Sequence, residues 1–165
     1  MNQENEEIIL ISSESNPVEI KAKAALHSNL IKDFIKDFPE NNIPLNSINY
    51  KTLLKIKEYL EHYENSEPKE IRQPLPKKDF KNIVDIWDYN FIDLQNETIF
   101  EIMLSANFMD IRPLLNLTCA KIASEITGKN ELQIKDLFKM GKDRDMNENE
   151  IIDNMENKLL EEEFF

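Results

Sequence analysis

Two glycines, one cysteine, two histidines and one tryptophan in 165 residues leave little material for several kinds of chemistry. Loops that cradle phosphate bring glycines together so that backbone amides can approach the anion. Here Gly128 and Gly141 stand apart, each after a helical pattern, where a left-handed cap is wanted. A nucleotide site is therefore not expected, and a nucleophile elbow lacks the glycines it would use. Cys119 alone cannot form an intrachain disulfide, and a single thiol suits a reducing compartment. His27 and His62 have no second His or Cys at metal-ligand spacing, so neither a metal nor another cofactor is expected. Basic residues are scarce too. Lys and Arg number 20 against 32 Asp and Glu, a net charge of −12, which repels phosphate backbones and anionic headgroups and argues against nucleic acid and membrane surfaces as partners. Residues 141–165 hold three bases against nine acids, a net of −6, so half the excess sits there. No stretch approaches 18 apolar residues, hence no spanning helix is expected. Met1 to Glu7 is acidic and has neither the basic region nor the apolar run of a targeting peptide, which makes cytosol and nucleus the expected address.

What is present is enough apolar material, 41% of the residues, for a real core without a staple. Ile8-Ile9-Leu10-Ile11, the turn formers Ser12 to Pro17 and the returning Val18-Glu19-Ile20 read as a β-hairpin. From Lys23 the period changes to about 3.6. Leu26, Leu30, Ile31, Phe34, Ile35 and Phe38 predict one helix, ended by Pro39. Ile43-Pro44-Leu45 is an edge-type strand, where proline's missing N–H costs little, leading to a helix that starts near Ser47 or Asn49 and is carried by Leu53, Leu54, Ile56, Tyr59, Leu60 and Tyr63. Residues 64–82 hold Pro68, Pro74 and Pro76 among mixed charges and read as a surface loop. Helical signals then follow over 84–91, 97–109, 113–127, 131–140 and about 148–162. Acidic runs on such helices are solvated faces far more often than catalytic carboxylate pairs, and no enzymatic activity is expected.

The segment Glu97 to Met109 is the most informative, because two apolar stripes share one helix. Ile99, Ile102, Met103, Ala106 and Met109 form one face; Phe100, Leu104 and Phe108, at i, i+4 and i+8, form another. A helix that is apolar all round must be covered on every side, by its own chain or by a partner. The excess continues in Leu114, Leu115, Leu117, Cys119, Ile122, Ala123 and Ile126, then Leu132, Ile134, Leu137, Phe138 and Met140, and finally in an acidic amphipathic stretch with Ile151, Ile152, Met155, Leu159 and Leu160.

Ile86-Trp87-Asp88-Tyr89-Asn90-Phe91-Ile92, the run Thr98 to Leu115 with its Ala106-Asn107-Phe108-Met109-Asp110-Ile111 block, Leu117-Thr118-Cys119 and Ile122-Ala123 closely resemble the S-phase kinase-associated protein adaptor family of SCF ubiquitin ligases. Ile43-Pro44-Leu45, and Gly128-Lys129 followed by Ile134 and Phe138, also match, so that the likeness runs from Ile8 to about Leu160. The resemblance implies an α+β fold: a BTB/POZ domain over residues 1–109, with 64–82 as its loop, and a helical F-box-binding extension over 110–165. It further implies a non-catalytic adaptor that docks on a cullin through the POZ part and holds F-box receptors through the extension; free, such a protein exposes its receptor surface, so homodimerisation or a mobile carboxyl-terminal end is expected. Carried over by position, Asn107 and Phe108 stand at the family's asparagine–aromatic cullin contact, with phenylalanine here in place of the more usual tyrosine. Ile122, Ile126, Ile134 and Phe138 stand at F-box positions, and Ile152 and Met155 by pattern only. The chain departs from the family at Arg144, at Met146, where a proline is usual, and near Lys158, where a tryptophan is. Because this fold also serves in kinetochore and proton-pump assembly complexes, an assembly subunit of that kind is the alternative.

Overall fold

A computed structural model describes residues 7–37, 42–72, 75 and 79–138. The chain divides into two compact units, Met1–Lys129 and Asn130–Phe165.

The first unit is α+β. Strands β1 (Glu7–Ile11) and β2 (Pro17–Lys21) form the expected antiparallel hairpin, and β3 (Asn42–Pro44) adds to the other edge of β1 in parallel, giving the order β2-β1-β3. Side chains alternate across a strand, so Ile8 and Leu10, Val18 and Ile20, and Ile43 all reach one buried face. In the turn, the amides of Ser15 and Asn16 bond the carbonyl and hydroxyl of Ser12, at 2.9 and 3.2 Å. Pro44 sits on the edge strand, where no ladder hydrogen bond is lost.

The single helix expected from Lys23 is instead two, α1 (Ala22–Ala25) and α2 (Asn29–Asp37), and Leu26 lies in the break, partly exposed. A tertiary contact makes the difference. Ser28 Oγ accepts from the amide of Ile31, capping α2, and donates to the carbonyl of Met109 at 2.6 Å. Pro39, expected as the stop, lies outside the described residues.

Helix α3 (Tyr50–His62) begins where expected. Asn49 caps it by accepting from Thr52 N at 2.9 Å, and Glu14 from the hairpin turn accepts from the Tyr50 amide, also at 2.9 Å. A carboxylate at a helix amino terminus is favoured by the aligned peptide dipoles. Leu53, Ile56, Tyr59 and Leu60 are buried, whereas Leu54, one residue off that face, is exposed. After a stretch without regular structure in its described residues come a 3-10 turn (Phe80–Asn82) and the short helix α4 (Ile86–Phe91). An aromatic cluster joins α3 to α4. His62 stacks on Trp87 at 3.6 Å, Trp87 stacks on Phe91 at 5.0 Å, and Tyr63 donates a 2.8 Å hydrogen bond to the buried carboxylate of Asp88.

Burial pushes the Asp88 carboxyl above the usual range, against the lowering effect of the Tyr63 hydrogen bond. The folded state therefore binds this proton more tightly than the unfolded chain does, so the side chain's contribution is greatest at acid pH and is lost as pH rises through the folded value. Asp88→Asn keeps an acceptor for Tyr63 and removes the charge. The Tm of this variant relative to wild type is expected to climb from pH 4 upward, and a difference that stays flat or falls with pH would reject the assignment.

Helices α5 (Asn96–Phe108) and α6 (Arg112–Ile126) pack side by side, with Pro113 in the first turn of α6, where its missing N–H is harmless. Gly128 follows with φ +81°, the left-handed conformation expected of it. In the second unit, α7 (Glu131–Phe138) opens with a reciprocal cap: Gln133 N donates to Asn130 Oδ1 at 2.9 Å and Asn130 N to Gln133 Oε1 at 3.0 Å. Gly141 and the helix expected over about 148–162 lie outside the described residues.

Candidate interaction surfaces

The two stripes read on α5 have different fates. Ile99, Ile102, Ala106 and Met109 are fully buried and Met103 half-buried, so this stripe is core. On the other, Phe100 is half-buried while Leu104 and Phe108 stand 65% and 50% exposed, with Asn107 exposed beside them. The core was thus covered by one face, and the second face was left in water.

This helix is fixed from within at two places. Near its middle, Glu101 Oε2 accepts from Asn49 Nδ2 at 3.1 Å and from Thr52 Oγ1 at 2.9 Å, which ties α5 to the head of α3. At its end the α5–α6 corner is clamped by α2: beyond the Ser28–Met109 bond, Leu30 N donates to the Met109 carbonyl and Asn29 Nδ2 to Asp110 Oδ2 at 2.8 Å. Asp110 adopts φ +49°, a left-handed turn that aspartate tolerates better than most residues, and Ile111 N reaches back to Ala106 O at 2.9 Å. Asn107 and Phe108 are therefore presented on a rigid corner.

A second surface lies along α6. Leu115, Ile122 and Ile126 are half-buried, and Cys119, one turn before Ile122 and Ala123, is exposed. Thr118, on the inner side, spends its hydroxyl on the carbonyls of Leu114 and Leu115. Lys121 and Glu125 pair at 3.0 Å across one turn, and the Lys121 ammonium sits 5.7 Å from the Phe80 ring. Of the other expected receptor residues, Ile134 is half-buried in α7 and Phe138 ends that helix; Ile152 and Met155 lie outside the described residues.

Nothing in either surface resembles a reaction centre. Among the described residues no three His, Cys, Asp or Glu side chains gather as a metal site, and no helix is long and apolar enough to cross a membrane. What the arrangement offers is apolar area on fixed elements, which is the chemistry of protein–protein docking.

Comparison with known proteins agrees with that character. Residues 6–65 match the model described as Skp1 family, tetramerisation domain, and residues 112–162 that of Skp1 family, dimerisation domain. The chain is 39% identical over 145 residues to an S-phase kinase-associated protein 1 homolog of Tetrahymena thermophila, covering 87% of both proteins. It is 34% identical over 142 residues to the SCF ubiquitin ligase complex protein SKP1a of Dictyostelium discoideum, covering 81% of this chain and 83% of that protein. To the E3 ubiquitin ligase complex SCF subunit sconC of Arthroderma benhamiae it is 32% identical over 138 residues, 82% of this chain and 84% of that protein.

Proposed function

The chain belongs to the Skp1 family, and from that premise we propose that it is the adaptor subunit of an SCF-type ubiquitin ligase, bridging a cullin scaffold to F-box receptors. The observation that carries the reading is the exposed, rigidly mounted patch of Asn107 and Phe108 on α5, on a helix whose opposite stripe is core. A monomer with no docking role has no use for it. The names of the relatives favour the ligase over an assembly subunit for kinetochores or proton pumps.

In this reading the protein does no chemistry. Asn107 and Phe108 hold the cullin; Ile122 and Ile126 on α6 contact the F-box, and by the resemblance Ile134, Phe138, Ile152 and Met155 are further F-box-binding residues. The adaptor fixes the spacing between a receptor's substrate and the transfer machinery on the scaffold. Without a receptor, the apolar stripe along α6 is covered by a second copy, so the free protein is a homodimer. The exposed thiol of Cys119 suits a reducing compartment, and we place the protein in cytoplasm and nucleus.

Cys119 also supplies the test, since it is the one cysteine and lies on the stripe assigned to the receptor. At a dilution at which the free chain is monomeric, an F-box peptide is expected to slow its alkylation by a maleimide at least tenfold, while a cullin amino-terminal fragment leaves the rate unchanged and co-elutes with the adaptor–F-box pair as a ternary complex. Equal alkylation rates with and without the peptide, together with failure to form the ternary complex, would end the proposal.

A further inference from the structure

Loops run over the surface, where a large apolar side chain finds little to cover it. The described residues of the stretch read as a loop, 64–82, behave otherwise: Ile71, Leu75 and Phe80 are each half-buried and pack against the core of the first unit. Two of its segments also reach α6, the helix that carries Leu115, Cys119, Ile122 and Ile126. Pro68 to Ile71 lies with Arg112, Pro113 and Asn116 along one groove of about 160 Å³ at the head of that helix. Further along, the 3-10 turn Phe80–Asn82 meets it again.

Phe80 sits between two helices. Its ring centre lies 6.3 Å from that of Tyr89 on α4 and 5.7 Å from the ammonium of Lys121 on α6, and the amides of Ile83 and Val84 both donate to its carbonyl, which closes the turn. The Lys121 side chain is only 17% exposed and its Nζ also meets Glu125 Oε1 at 3.0 Å, so ring and carboxylate hold a largely desolvated cation between them. Lys121 and Glu125 immediately precede Ile122 and Ile126, a step of about 100° around the helix. The buried side chains of α6 are Leu114, Leu117, Thr118 and Ala120, whereas every residue from Lys121 to Ile126 is only half-buried. The receptor-bearing end of α6 is thus the part least fixed by the core, and Phe80 is where a separate element takes hold of it.

We infer that Phe80 is a positioning residue for the receptor surface, acting through Lys121 on the last turns of α6. The role presupposes the assignment of Ile122 and Ile126 to the F-box and deepens it, since it makes receptor affinity depend on a residue outside the contact. A helix end held in place beforehand loses less freedom when the F-box settles on it. Phe80 stands among prolines and charges, far from Lys121 in sequence, and only the fold brings the two together.

The test uses the full chain at a dilution at which it is monomeric, an F-box peptide and a cullin amino-terminal fragment as probes, and titration calorimetry together with amide hydrogen exchange of the free chain. Phe80→Ala is expected to weaken F-box binding about tenfold, the scale of one desolvated cation–π contact, and to speed exchange of the amides over 122–126, with cullin affinity unchanged. Phe80→Tyr, which keeps the ring, should bind the F-box as wild type does. Lys121→Met, which leaves the turn intact, should weaken F-box binding to a similar extent and the double variant no further, because both remove one contact. Additive losses would make Lys121 a direct receptor contact and overturn the inference. Wild-type F-box binding in Phe80→Ala would overturn it too, while leaving the F-box reading in place. Equal losses of F-box and cullin binding would make Phe80 a general packing residue, which again ends its assigned role. If the wild-type chain itself fails to bind the peptide, the F-box reading fails and takes the role of Phe80 with it.

Discussion

Replacing Asn107 and Phe108 together by lysine is expected to lower cullin affinity by at least a hundredfold, with F-box binding and Tm unchanged. Phe108 is half-exposed and Asn107 exposed in the free chain, so the substitutions add charge in water and cost the fold little. If the proposed scaffold contact desolvates this corner, the same two ammonium groups lose their water, and an unpaired buried charge costs several kcal/mol. The effect should appear mainly as faster dissociation, since such truncations or insertions at an interface centre act on the off-rate. Phe108→Tyr is the informative control. It restores the family's more usual side chain, adds a hydroxyl at the rim and should bind at least as well as wild type. Full cullin affinity in the double lysine variant, measured with purified components, would show that the corner is not the scaffold contact.

Ile134→Ala combined with Phe138→Ala is the second large expectation. If both side chains are buried by the F-box, truncating a phenylalanine in core-like surroundings costs roughly 3 to 5 kcal/mol and the isoleucine adds to it, so binding should fall by two or more orders of magnitude. Both residues lie in α7, within the second compact unit. Thermal unfolding of the free variant must be followed alongside. Unchanged melting with lost F-box binding assigns the pair to the receptor surface; lowered melting with F-box binding intact assigns it to internal packing and removes both from the site.

Most of the strand and helix pattern was legible before the fold. The hairpin, the proline-bearing edge strand, the Asn49 cap and the helices at 96–108 and 112–126 follow from period, turn chemistry and capping, which act between residues close in sequence. The break between α1 and α2 did not follow, because Ser28 is an unremarkable residue in a helical pattern until its hydroxyl finds Met109, 81 positions away. Leu54 shows the same limit in reverse: it is one of the apolar residues that carry the α3 pattern, but the core reached only the neighbouring face.

The site shows the same division. Sequence alone determined that this chain has few residues suited to metal, phosphate or nucleophile chemistry, and that one of its helices is apolar on two sides. Which of the two sides is core, and which stands in water, was decided only by tertiary structure. Periodicity records that a face is apolar, and only the packing of the other elements, drawn together from across the chain, fixes what covers it.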